Sequence, residues 1–140
     1  MKLARRICEA RDGASAVEFA IIAPIFIMTL VTFVAFGIYL ATANAVQQIA
    51  SDAARTAIAG LDAAERTKLA NNFIAASTLD YFMLEPSKLA VTVSDDPKNV
   101  DQFTVYIDYD ATNLPIWSLY SFAMPTNHIK RFATIRIGGI

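Results

Sequence analysis

The chain has 140 residues, of which 55% are hydrophobic and 18% charged, with a net charge of -1. That length suits one modest domain, that composition is apolar for a soluble protein, and so small a net charge gives no electrostatic footprint for nucleic acid. The single cysteine, Cys8, excludes an intrachain disulfide and a cysteine metal cluster, and the single histidine, His128, excludes a two-histidine site.

Residues 1–13, MKLARRICEARDG, carry Lys2, Arg5, Arg6 and Arg11 against Glu9 and Asp12. A lone carboxylate, Glu18, follows, and from Phe19 to Ser51 no residue is charged. Phe19 to Ala41 is the most apolar part; as a helix it would be about 35 Å long, enough to cross a hydrocarbon core. The basic flank comes first, so the N-terminus is expected in the cytoplasm and the remainder outside. A cleaved secretory signal has an apolar core of only ~7–15 residues ahead of a small-x-small site. This run is longer and passes straight into a helical pattern, which favours a retained transmembrane helix. Pro24 removes one backbone hydrogen bond inside it and predicts a kink. Cys8 precedes the apolar run, unlike a lipobox cysteine.

Residues 42–59, TANAVQQIASDAARTAIA, continue as an amphipathic helix. Val46, Ile49, Ala50, Ala53 and Ala57 form its apolar stripe, where a head is expected to pack, and Gln48, Asp52 and Arg55 lie on another face. Gly60 reads as a C-cap. Asp62 to Glu65, DAAE, is a capping box that predicts a second helix over 63–77, with Leu69, Phe73 and Ile74 inward.

The last third reads as strands. Leu89 to Ser94 is short and β-branched, and DDPKN is a turn signal. Over Gln102 to Asp110, Phe103, Val105, Ile107 and Tyr109 alternate with Thr104, Tyr106 and Asp108, the pattern of a half-buried strand. Residues 112–126, bounded by Pro115 and Pro125, lack a period and read as a long loop with a helical turn. Ile129 to Ile137 is a final strand. The fold class is therefore α+β: a long N-terminal transmembrane and stalk helix, then a small head with a second helix and a short antiparallel sheet.

Few residues suggest chemistry. Asp95 to Asp101, DDPKNVD, holds oxygen ligands in the manner of a calcium loop but lacks the glycine and terminal glutamate of an EF-hand, so a polar hairpin turn is the simpler reading. Asp108 and Asp110 lie two apart on one solvated strand face with no nucleophile or base near them in sequence. His128, beside Lys130 and Arg131, reads as a surface residue entering a strand. Trp117, Tyr120 and Phe122 read as core or core-edge residues, the alternative being a docking patch or a contact with the outer leaflet. No catalytic residue, metal site or cofactor is expected, and the chain is read as a non-enzyme.

The best-defined pattern is Gly13, then Ala14, Ser15, Ala16 and Val17, then Glu18 and Phe19 opening a hydrophobic helix. It resembles the processing site of type IV-like prepilins. With Glu18-Phe19, Pro24, the pair Phe36-Gly37 and the continuation Ala53-Ala54-Arg55, the chain is similar to the TadE-like minor pseudopilins of tight-adherence (Flp-type) pilus systems. The likeness is good over the first ~60 residues. Many members carry an acid before the Phe-Gly pair, where this chain has Ala35. The resemblance implies a type IV pilin-like layout and cleavage after Gly13 by a prepilin peptidase at the cytoplasmic face. Ala14 would become the new N-terminus, and Glu18 would pair with the terminal amine of a neighbouring subunit. It also implies other pilin or pseudopilin subunits, an inner-membrane assembly platform and the lipid bilayer as partners. The division implied is a leader over 1–13, a bacterial inner-membrane span over 14–41 and a periplasmic stalk and head over 42–140.

Two function classes follow. The first is a cleaved minor pseudopilin that helps assemble or initiate a pilus. The second is an uncleaved, single-span periplasmic binding module, in which Glu18 merely marks the membrane interface. They differ at the mature N-terminus: Ala14 in the first, Met1 in the second.

Overall fold

A computed structural model describes residues 11–77, 81, 84–118 and 126–137. The chain has two compact units, one ending at Phe36 and the other running from Gly37 to Ile140.

Helix α1, Arg11–Ala57, passes through both. In the first unit its large apolar side chains are exposed, among them Phe19 at 72% and Phe33 at 71%. Such a surface is far beyond what a soluble protein leaves uncovered, and lipid or other apolar helices would cover it. The helix is long and apolar enough to cross a membrane, with a mean hydropathy of 2.5 in its best window. Its hydroxyls suit that setting. Thr29 Oγ1 donates to Ile25 O at 2.9 Å and Thr32 Oγ1 to Met28 O at 2.8 Å, so neither needs water. Pro24 sits inside the helix and leaves the Ala20 carbonyl without its usual donor.

The second unit is the head. Its sheet has the order β1-β2-β3, with β1 Leu89–Asp96, β2 Asn99–Asp110 and β3 His128–Arg136, all antiparallel. Pro97 and Lys98 make the hairpin turn between β1 and β2. The alternation of β2 is realised: Phe103, Val105, Ile107 and Tyr109 are all buried, whereas Tyr106 is exposed. Ile129 of β3 is paired with Tyr109 and is buried on the same face. The expected stripe of α1, Val46, Ile49, Ala50, Ala53 and Ala57, is buried too, joined by Ala43 and Ala54. Gln47 Nε2 donates to Phe132 O at 3.0 Å and ties the helix to β3. Alanines on the helix let it approach closely, and the bulk of the core comes from the sheet and from Ile116.

Helix α2, Ala63–Ser77, matches its expected span and packs on β1. Glu65 N donates to Asp62 Oδ1 at 2.8 Å, and Leu61 N donates to Glu65 Oε2 at 2.9 Å. This is the capping box, with the return bond moved one residue upstream of the cap. Of its expected inward residues Ile74 is buried, and Leu69 and Phe73 are half-buried.

Three local readings change. α1 ends at Ala57 rather than residue 59. Gly60 is needed for close approach rather than for a left-handed cap: a Cβ there would lie 2.7 Å from Arg66 N and 3.0 Å from Arg66 Cα. β1 and β2 extend into the segment read as the turn, because the turn itself takes only Pro97 and Lys98. The helical turn expected in the loop is the 3-10 segment Pro115–Ser118. The leader before residue 11, with Cys8, and Tyr120 and Phe122 lie outside the described residues.

Candidate processing and assembly site

Gly13, Ala14, Glu18 and Phe19 all lie on the first turns of α1 and are exposed. Glycine in a helix interior costs about 1 kcal/mol relative to alanine. Nothing lies within 4 Å of where a Cβ at Gly13 would stand, so the fold itself gives no reason for a glycine there. Glu18 has no hydrogen-bond or ion-pair partner among the described residues. Phe19, beside it, is 72% exposed. The segment therefore presents a carboxylate and an aromatic ring outward, with nothing among the described residues to receive them. Ala35, which stands where many TadE-like chains carry an acid, is buried at 2% exposure.

Two acids of the hairpin are engaged by other groups of the head. Asp95 Oδ1 accepts from Arg66 Nη1 at 2.7 Å, and Asp96 Oδ1 accepts from Lys98 N at 2.8 Å. Such bonds are those of a polar turn rather than of a cation cage. Asp108 is paired with His128 Nδ1 at 2.9 Å and with Lys130 Nζ at 3.5 Å. Asp110 Oδ1 accepts from Thr112 N at 3.0 Å; hydrogen bonding from Thr112 holds its carboxyl below the usual carboxylate range. Burial raises the pKa of Tyr109. Among the described residues no group of three or more His, Cys, Asp and Glu side chains converges in a way that would hold a metal. Trp117 is half-buried at the edge of the core, its Nε1 donating to Ala111 O at 2.6 Å.

One residue that sequence reading passed over is Arg66. Its side chain is 9% exposed, its Nε donates to Gly60 O at 3.3 Å, and its guanidinium carbon lies 5.3 Å from the Phe103 ring centroid. It joins α2 to the β1 end and is structural.

Comparison with known families bears on the N-terminal segment. The family model described as TadE-like protein matches residues 13–55. Over that segment, the chain is similar to TadE-like proteins. The match begins at Gly13 and ends within the buried part of α1, so it includes Glu18, Phe19, Pro24 and the Phe36-Gly37 pair. No curated protein and no solved structure matches the chain significantly. The head, β1 to β3 and α2, is thus described by its own geometry alone.

Proposed function

We propose that the chain is a membrane-anchored minor pseudopilin of a tight-adherence pilus, cut after Gly13 by a prepilin peptidase. Residues 1–13 are the leader, 14–41 span the bacterial inner membrane, and the head over 42–140 stands on the periplasmic side. The observation that carries this reading is the pairing of two residues the fold does not explain, Gly13 and Glu18, at the start of a TadE-like segment. Gly13 is helical, so a peptidase must unwind the first turns of α1 to reach the bond. A glycine makes that opening cheaper by about 1 kcal/mol and leaves room for close approach to the backbone.

Cleavage makes a new amine at Ala14. Glu18 would otherwise carry its charge toward the bilayer at a cost of about 3 kcal/mol on insertion scales. Pairing with the Ala14 amine of a neighbouring subunit removes two lone charges at once and sets the axial offset between chains. Pro24 bends the span, and the exposed apolar side chains of α1 pack against helices of other pilin subunits or of the assembly platform. The reading is non-enzymatic.

Two variants separate the roles. Gly13→Ala should block or slow cleavage. Glu18→Ala should leave cleavage largely intact and impair pilus assembly, scored as surface pili. Normal piliation of the Glu18→Ala strain would overturn the pairing.

A further inference from the structure

The sheet has two faces, and the core of the head takes one of them. Phe103, Val105, Ile107 and Tyr109 of β2 are buried on that face with Ile129 of β3. Even-numbered side chains alternate onto the opposite face. Strand pairing sets them in cross-strand rows. Thr92, Tyr106 and Phe132 make one row, and Ala90, Asp108 and Lys130 make the next. The ring centroids of Tyr106 and Phe132 are 5.9 Å apart, with planes tilted by 39°. Such a pair steadies a sheet, but both rings remain open to solvent, Tyr106 at 49% and Phe132 at 61% exposure. The β1 member of each row is small, so the rings stand above a lower floor. The two rows line a hollow of about 510 Å³, within the size range of ligand sites.

The hollow is aromatic on one side and polar on the other. Asp108 Oδ2 lies 3.5 Å from Lys130 Nζ, and Asp108 Oδ1 is held by His128 Nδ1 at 2.9 Å. Acceptor and donor thus stand side by side with their charges offset. An ammonium has three N–H donors, and the Lys130 side chain is 75% exposed, so it can serve Asp108 and a ligand together. A polyanion finds no surplus of positive charge here, because Asp108 offsets Lys130. A wholly apolar partner would take the ion pair out of water and return no hydrogen bond. The arrangement suits an uncharged molecule with an apolar ring face and hydroxyls at its edge, which is the chemistry of a pyranose.

We propose that this face of the sheet binds an uncharged oligosaccharide. A pyranose lays its C–H face against the Tyr106 and Phe132 rings, while its hydroxyls donate to Asp108 and accept from Lys130. The site lies wholly within the head, so it does not depend on cleavage after Gly13.

The test titrates the full chain, in phosphocholine micelles free of sugar headgroups, with cellotetraose, maltotetraose and N-acetylchitotetraose by calorimetry. At least one should bind with a Kd of about 1 mM or tighter. That Kd should move less than about twofold between ~0.1 and ~1 M salt, because no ligand charge is there to be screened. Tyr106→Ala and Phe132→Ala should each weaken binding about tenfold, and Tyr106→Trp should preserve it. Circular dichroism reads folding. If an alanine variant misfolds, Tyr106→Leu, which keeps bulk and loses the aromatic ring, takes its place and should weaken binding likewise. Absence of saturable binding by all of these sugars would overturn the proposal. Octathymidylate binding as tightly as the best sugar would overturn it too, by marking a base-stacking face. So would self-association in sedimentation that Tyr106→Ala abolishes, since the face would then be a contact between copies.

Discussion

Asp95→Ala should destabilise the head more than Arg66→Met, although the two substitutions remove the same ion pair. The Arg66 side chain is 9% exposed and Asp95 is 44% exposed. Losing one partner of a fully buried pair costs about 3–5 kcal/mol, and losing a surface pair costs about 0–1 kcal/mol. This pair is buried on one side only, so removing Asp95 should cost about 2 kcal/mol, most of it the stranding of a guanidinium with Gly60 O as its remaining acceptor. Removing Arg66 instead leaves a carboxylate that water can reach, and methionine keeps the contact with Phe103; the cost should be about 1 kcal/mol or less. In the double variant no charge is stranded, so the two losses should not add. Urea unfolding of the full chain in micelles, followed by Trp117 emission, measures all four corners of the cycle. An Asp95→Ala cost within about 0.5 kcal/mol of zero, or a larger cost for Arg66→Met, would refute the reasoning.

The same assay checks three further expectations. Gly60→Ala should cost about 1–3 kcal/mol, because the new Cβ meets backbone atoms of Arg66 that cannot swing aside. Ala53→Leu should cost a similar ~1–3 kcal/mol, since Ala53 is fully buried on α1 and a close-packed site leaves no room for added methylenes. Tyr109, raised from 10.0 chiefly by burial, keeps its proton in the folded state after the unfolded chain has lost it. Its contribution is therefore fully present below pH 10 and lost as pH rises through the raised native value, so Tyr109→Phe should flatten the alkaline fall in stability.

Much of this architecture is legible in the residues. Strict alternation from Phe103 to Tyr109 gave the buried face of β2, and Asp62 with Glu65 located the start of α2 to the residue. The alanine stripe was legible because Val46 and Ile49 fix the helical phase into which the alanines fall. Arg66 was not legible, for a physical reason. An arginine between Glu65 and Thr67 on a helix looks solvated, and its acceptor, Asp95, lies in a hairpin whose aspartates read equally well as turn residues. Gly60 stands out in the sequence only as a helix stop, because a close approach from Arg66 leaves no mark in local sequence. At the N-terminus the position is reversed. Gly13 and Glu18 stand out in the sequence as a glycine and a charge against an apolar background, and the described residues supply no partner for either, which is why their role is sought in other molecules.

The most direct measurement is the N-terminal residue of the protein extracted from membranes of cells with an active prepilin peptidase, read by intact mass. The expected result is a chain that begins at Ala14, with the full-length form accumulating when the peptidase is deleted. A chain that still begins at Met1 while the peptidase is active would contradict processing after Gly13, and with it the assembly role of Glu18.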